Sequence, residues 1–313
     1  MNTPARLGAY VLGLAVIFGG ALGVGGAVGA TGPEPAKNDH GGHTTPAQAA
    51  QKTEHVPGGL QVSQNGYTLT PQTTTITPGT ETDFRFTVNG PDGRPVTAYE
   101  TQHDKKLHLI VVSRDATVFR HLHPELSGEG IWSVPLTLPD AGAYRIFADF
   151  APQGGEGLTL GADLYAPGDY APRALPAPSR TVTVDGYTVR LDGTLTPGAA
   201  SKLVAEISRD GRPVTDLQPY LGAYGHLVAL RVGDLAYLHV HPDGAPGDGV
   251  TPAGPGITFY AEVPSRGDYR LFLDFQHDGT VHTAAFTVRA EQSSGAVPTA
   301  TADHGSEHAH SGH

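Results

Sequence analysis

The feature that most constrains the fold of this 313-residue chain is an internal duplication. Gly66-Tyr67-Thr68 recurs as Gly186-Tyr187-Thr188, and Thr77-Pro78-Gly79 recurs as Thr196-Pro197-Gly198. Asp92-Gly93-Arg94-Pro95-Val96-Thr97 recurs intact at 210–215, and the same offset carries His108-Leu109 onto His226-Leu227. It also carries His121-x-His123-Pro124 onto His239-x-His241-Pro242. Tyr144-Arg145-x-Phe147-x-Asp149-Phe150 returns as Tyr269-Arg270-x-Phe272-x-Asp274-Phe275, with the extra residues falling in the Gly/Pro-rich stretch from Pro242 to Gly256, where insertion costs little. Blocks in the same order define two copies of one domain, 58–170 and 180–290, joined by a Pro-rich linker over 171–179.

Each copy reads as all-β. Short apolar runs such as Asp83–Val88, Leu109–Val112, Leu136–Leu138 and Tyr144–Phe150 are bounded by Gly, Pro and Asp. That is the strand-and-turn spacing of a sandwich. With 42 Gly, 26 Pro and no helical apolar period beyond the N-terminus, long helices are excluded. The expected architecture is two tandem Ig-like or cupredoxin-like β-sandwiches of seven or so strands each. Cysteine is absent, which removes disulfides, thiolate metal sites and a cysteine nucleophile. Acids outnumber bases 31 to 20 without a basic stripe, so nucleic acid is not an expected partner.

The chain holds 16 histidines, and protonating them all would reverse the sign of its net charge of −11. In the second copy, Gly233-Asp234 suits a two-residue hairpin turn that wants Gly first. Counting outward from that turn sets His226 opposite His241, with His239 on the same face two residues along. In the first copy a turn at Asp115-Ala116 sets His108 opposite His123, with His121 beside it. Opposed Cβ atoms lie about 4.5–5.5 Å apart, so three imidazoles at this spacing can converge on one ion. Pro124 and Pro242 end the strands just beyond, which places each cluster at a sandwich edge. A three-residue turn would shift the register by one and send His108 or His226 to the opposite face. The alternative is that these histidines are hydrogen-bonded core residues.

Three histidines without Cys, and with Met only at position 1, exclude blue-copper and thioether sites and suit Cu(II) or Zn(II). The candidate ligands are His108, His121 and His123 in one copy and His226, His239 and His241 in the other. Asp149 and Asp274 are matched acids that could supply a fourth ligand, orient an imidazole, or be plain surface aspartates. Glu125 and Asp243 follow each His-Pro and could act similarly. His103, His277 and His282 lack a counterpart in the other copy and read as peripheral. No nucleophile elbow, phosphate loop, dinucleotide fingerprint or His-Glu-x-x-His is present, so an enzyme is not expected. The exception would be a zinc hydrolase using an open three-histidine site with Glu125 or Asp243 as base.

From Leu7 to Ala30 no residue is charged, and Arg6 precedes the run. That length suits a membrane anchor with its N-terminus inside, while Val28-Gly29-Ala30 suits signal cleavage. Either reading places the rest outside the cytoplasm, with the membrane reached through residues 1–30 only. Residues 31–57 and 291–313 are His-rich without periodicity and are expected to be disordered.

Gly225-His226-Leu227-Val228, then His239-Val240-His241-Pro242, then Tyr269-Arg270-Leu271-Phe272 resembles a recurring domain of bacterial cell-envelope proteins. It is similar to extracytoplasmic copper-handling sandwiches of the copper-resistance kind. The resemblance covers residues 58–290 and implies an envelope protein of this fold; with the histidine set, the expectation is a protein that binds, buffers or hands over Cu(II) or Zn(II), with a metal-transport protein of the envelope as candidate partner. The competing expectation is a non-catalytic tandem Ig-like adhesion or spacer module whose histidines are structural or pH-sensing.

Overall fold

The computed structural model describes residues 56–238 and 240–291, with His241 described by its backbone alone. The uncharged N-terminal run, nearly all of the 31–57 linker, the C-terminal tail and His239 therefore lie outside the described residues. Among the described residues the ordered elements are strands, and no helix is long and apolar enough to cross a membrane.

The first repeat contains β1 (Ser63–Gln64), β2 (Tyr67–Pro71), β3 (Thr82–Asn89), β4 (Leu107–Ser113), β5 (Phe119–Leu122), β6 (Glu125–Leu126), β7 (Ile131–Leu136), β8 (Gly142–Phe150) and β9 (Leu158–Ala166). The second contains β10 (Thr181–Val184), β11 (Tyr187–Asp192), β12 (Ala200–Arg209), β13 (Arg212–Pro213), β14 (Gly225–Arg231), β15 (Tyr237–Leu238), β16 (Val240–Pro242), β17 (Gly256–Glu262), β18 (Gly267–His277) and β19 (Thr280–Ala290). In each repeat one sheet runs β1-β2-β3-β7-β6, or β10-β11-β12-β17-β16 with β13 beside β12. The other runs β5-β4-β8-β9, or β15-β14-β18-β19. Both repeats are antiparallel two-sheet sandwiches of Ig-like build, and the duplicated sequence is a duplicated fold. The strand expected over Leu136–Leu138 lies earlier, at β7. Leu138 is buried in the loop that follows it.

Each repeat has its own apolar core. Phe84, Phe86, Trp132 and Phe150 fill the first, and Tyr187, Phe259, Phe275 and Phe286 fill the second. The pleat of β4 divides its side chains: Leu107, Leu109 and Val111 enter the first core, while Ile110 and Val112 point the other way. Those outward residues are buried too, against Val228, Leu230 and Phe272 of the second repeat. The β4 and β14 sheets thus pack on each other through a third core. This is why β4 is apolar on both faces, where an edge-exposed sandwich sheet would alternate.

The interface has a two-fold logic inherited from the duplication. Phe119 stacks on Phe272 at 4.2 Å between ring centroids, and its counterpart Tyr237 lies 5.5 Å from Phe147. Arg270 is buried and donates from Nε to the carbonyl of Ala116 across the interface, with its other edge on Thr287. Arg145 donates from Nε and Nη2 to the carbonyl of Gly59, on a short stretch that also pairs Gly58 with Tyr237.

The candidate metal centre

The predicted register holds along the paired part of both hairpins, but in the second repeat His241 pairs with Tyr260 of β17 in the other sheet, and the β14–β15 ladder ends before reaching His226. β4 and β5 pair Leu109 with Leu122 and Ile110 with His121, and one more step outward sets His108 opposite His123. β14 and β15 pair Ala229 with Leu238 and Leu230 with Tyr237. The turns themselves differ from expectation. Each spans four residues, Arg114–Thr117 and Val232–Leu235, with Ala116 and Leu235 at positive φ. Ser113 Oγ receives the N–H groups of Thr117 and Val118, which stabilises the first turn. The register survives because a four-residue turn, like a two-residue one, leaves the parity of the pairing unchanged.

His108, His121 and His123 come together as predicted: one ring nitrogen of each lies within 4.8 Å of the others. Their ring centroids are 5.3, 5.2 and 4.8 Å apart. Three imidazoles around one tetrahedral ion place their centroids about 5.2 Å apart, given metal–nitrogen distances near 2.0–2.1 Å. The expected location is corrected. His121 is on the edge strand β5, His108 on its interior neighbour β4 and His123 just past β5, but the face they share is covered by the second repeat, and His108 is only 8% exposed.

The hydrogen bonds determine which nitrogens are available. His108 Nε2–H donates to the carbonyl of Gln102 at 3.1 Å, and His121 Nδ1–H donates to Asp274 Oδ2 at 2.8 Å. Carbonyl and carboxylate oxygens only accept, so both outer nitrogens carry protons. The inner nitrogens, His108 Nδ1 and His121 Nε2, then face each other at 3.1 Å, and with both rings neutral each presents a lone pair to the other. Two neutral rings repel in that arrangement, and a cation between them reverses the sign. His123 Nε2 is buried and has no hydrogen-bond partner among the described residues. Buried polar atoms are rarely left so, and each one calls for an explanation.

Burial, with the neighbouring imidazoles, depresses the ring pKa values. His108 falls to about 4 and His123 to about 3, with desolvation the largest cause in each. His226 falls to about 4, chiefly by desolvation, although its bond to a carbonyl opposes the shift. All three rings are neutral near pH 7, the form that binds metal.

Of the second triad the structure describes His226; His239 and the His241 side chain lie outside the described residues. His226 repeats the support of His108: its Nε2–H donates to the carbonyl of Tyr220, at the position matching Gln102. It also lies 6.3 Å from His121 between centroids and opposite Asp274 across the β14–β18 ladder. Asp274 is neither a surface residue nor a turn aspartate. It is 3% exposed, receives His121 and is held by Thr283 Oγ1. Asp149 is half-buried, receives Thr159 Oγ1 at 2.9 Å and lies 3.4 Å from Tyr237 Oη. Glu125 and Asp243 are exposed.

Of the histidines read as peripheral, His103 stands exposed beside the cluster, 5.4 Å from His226 and 6.2 Å from His108. His277 and His282 belong elsewhere, in a network with Tyr187, Asp185 and Asp216. Sequence reasoning missed His103 because its approach depends on the second repeat. A cavity of about 910 Å³ opens beside Asp149 and Tyr237, and none of the three clustered histidines lines it.

Comparison with known proteins gives one family. Its description is Domain of unknown function (DUF8832), and it matches twice, over residues 61–164 and 182–292. The chain belongs to this family. No curated protein matches it in sequence. Among solved structures, a Salmonella alpha-2-macroglobulin is 14% identical over 75% of this chain and 15% of its own, at a TM-score of 0.27. Invasin, a bacterial integrin-binding protein, is 13% identical over 72% and 39%, at 0.22. The Yersinia pseudotuberculosis adhesin InvE is 14% identical over 73% and 60%, at 0.21. This chain spans less than two thirds of the length of each of these three chains, and its fold assignment rests on its own sheet topology.

Proposed function

We propose that this protein is an extracytoplasmic divalent-metal-binding protein that holds Zn(II) or Cu(II) at His108, His121 and His123. The observation that carries the reading is the pair of inner nitrogens 3.1 Å apart, whose rings have already committed their outer N–H groups. Two nitrogens on one tetrahedral ion lie about 3.3 Å apart, close to that separation. Metal-bound imidazoles usually give their other N–H to a carboxylate or backbone carbonyl, which is the arrangement at both rings. His123 Nε2, buried and without a partner among the described residues, is the natural third donor. All-nitrogen ligation without thiolate or thioether suits Zn(II) and Cu(II). The shared support of His108 and His226 favours a matching site in the second repeat with His239 and His241. The function is binding, buffering or handover rather than catalysis.

The test is calorimetric titration of the full chain with Zn(II) and with Cu(II), with elemental analysis, beside His121→Ala/His123→Ala. The expected result is one tight ion fewer in the double variant. If the parent takes up no ion tighter than about 10 µM, the reading fails. The inner nitrogens would then share a proton, and an acid-sensing tandem sandwich would take its place.

A further inference from the structure

The three histidines all belong to the first repeat, but the group that orients one of them does not. His121 Nδ1–H is received by Asp274 of the second repeat, and both side chains are almost wholly buried. Asp274 is itself fixed by Thr283 Oγ1 at 2.6 Å and by its place opposite His226 in the β14–β18 ladder. Resting on the metal reading above, we propose that Asp274 is a positioning residue supplied across the interface, so that the first repeat's site is complete only when the second repeat is docked.

The physical reason is the response of the ring to metal. A cation on His121 Nε2 draws electron density from the imidazole and makes its Nδ1–H a stronger donor. The hydrogen bond to the carboxylate strengthens in turn, and the carboxylate raises the basicity of the ring. The bond also holds the tautomer that leaves Nε2 free. Since this acceptor arrives with the second repeat, ion binding and docking favour each other by the same factor. The ion is then a clasp between repeats as well as a cargo, and its release requires the interface to loosen.

The experiment uses the full chain and measures Zn(II) affinity at the site that His121→Ala/His123→Ala removes. Asp274→Asn is expected to weaken it by about 10–100-fold, and Asp274→Glu to recover part of the loss. Asp268→Asn, a change in the surface pair with Arg289 in the same repeat, is expected to leave it unchanged. Phe272→Ala touches none of the three ligands and removes the stack on Phe119, so it should lower affinity through docking alone. A Co(II)-loaded site should show a changed visible spectrum in Asp274→Asn but not in Asp268→Asn. In the ion-free chain, nitrogen NMR should find the His121 proton on Nδ1, and a mixture of tautomers in Asp274→Asn. A folded Asp274→Asn chain with wild-type affinity and spectrum overturns the inference while leaving the metal site standing. A wild-type chain without a tight ion overturns the metal reading instead. The His121 tautomer then still shows whether Asp274 orients the ring.

Discussion

His123 is the residue at which stability and function pull apart. Its buried Nε2 has no partner among the described residues, so the fold without an ion bears the desolvation of a polar atom for no return. Replacing it with an apolar side chain of similar size, His123→Leu, should leave the ion-free protein as stable or up to about 1 kcal/mol more stable. The same change should abolish tight ion binding. Urea unfolding in the presence of a chelator, set beside the metal titration, checks both halves. A clear loss of ion-free stability would mean that His123 is a structural residue. That His108, His121 and His123 come together was legible in the chain, because the triad recurs at the same spacing in both copies. That Asp274 is buried against His121 was not, since the two residues belong to different repeats.

At the scale of elements, the ladders explain both the success and the limit of counting from a turn. The register could be read because the hairpin partners are local, separated by a few residues only. The turn geometry could not, since Ala116 holds positive φ in a turn without glycine and Leu235 does so in addition to Gly233. Their cost is met by surrounding contacts, including the Arg270 bond to the Ala116 carbonyl. The stretch at Gly58–Gly59 gives a sharper test. A Cβ on Gly161 would lie 2.0 Å from the carbonyl oxygen of Gly59 and 2.8 Å from Arg145 Nη2. The nearest atom is backbone and cannot step aside, so Gly161→Ala should cost about 1–3 kcal/mol. Thermal unfolding would register it, and an unchanged midpoint would mean that this stretch is not docked on β9.

For the whole molecule, the histidines between the repeats predict how stability depends on pH. His108, His123 and His226 have folded-state pKa values of about 4, 3 and 4, below the ordinary 6.5. Below pH 6.5 the unfolded chain binds protons that the folded chain refuses, so stability is complete above that value and falls as pH drops towards 4. Each ring contributes a slope of up to about 1.4 kcal/mol per pH unit in that window. Urea midpoints between pH 7.5 and 4 should show this fall, and Zn(II) should move its onset to lower pH. A flat profile would mean that water reaches these rings.

The sequence by itself determined the duplication, the all-β class, the strand registers and the grouping of His108, His121 and His123. Each depends on local periodicity, or on comparing one half of the chain with the other. Only the tertiary structure decided that the histidine faces of the two sandwiches meet, that Asp274 rather than Glu125 supports the cluster, and that the cluster is enclosed. Those outcomes turn on which sheet face finds a partner. An apolar strand such as Leu107–Ser113 announces burial on both sides, but not whose side chains will cover it.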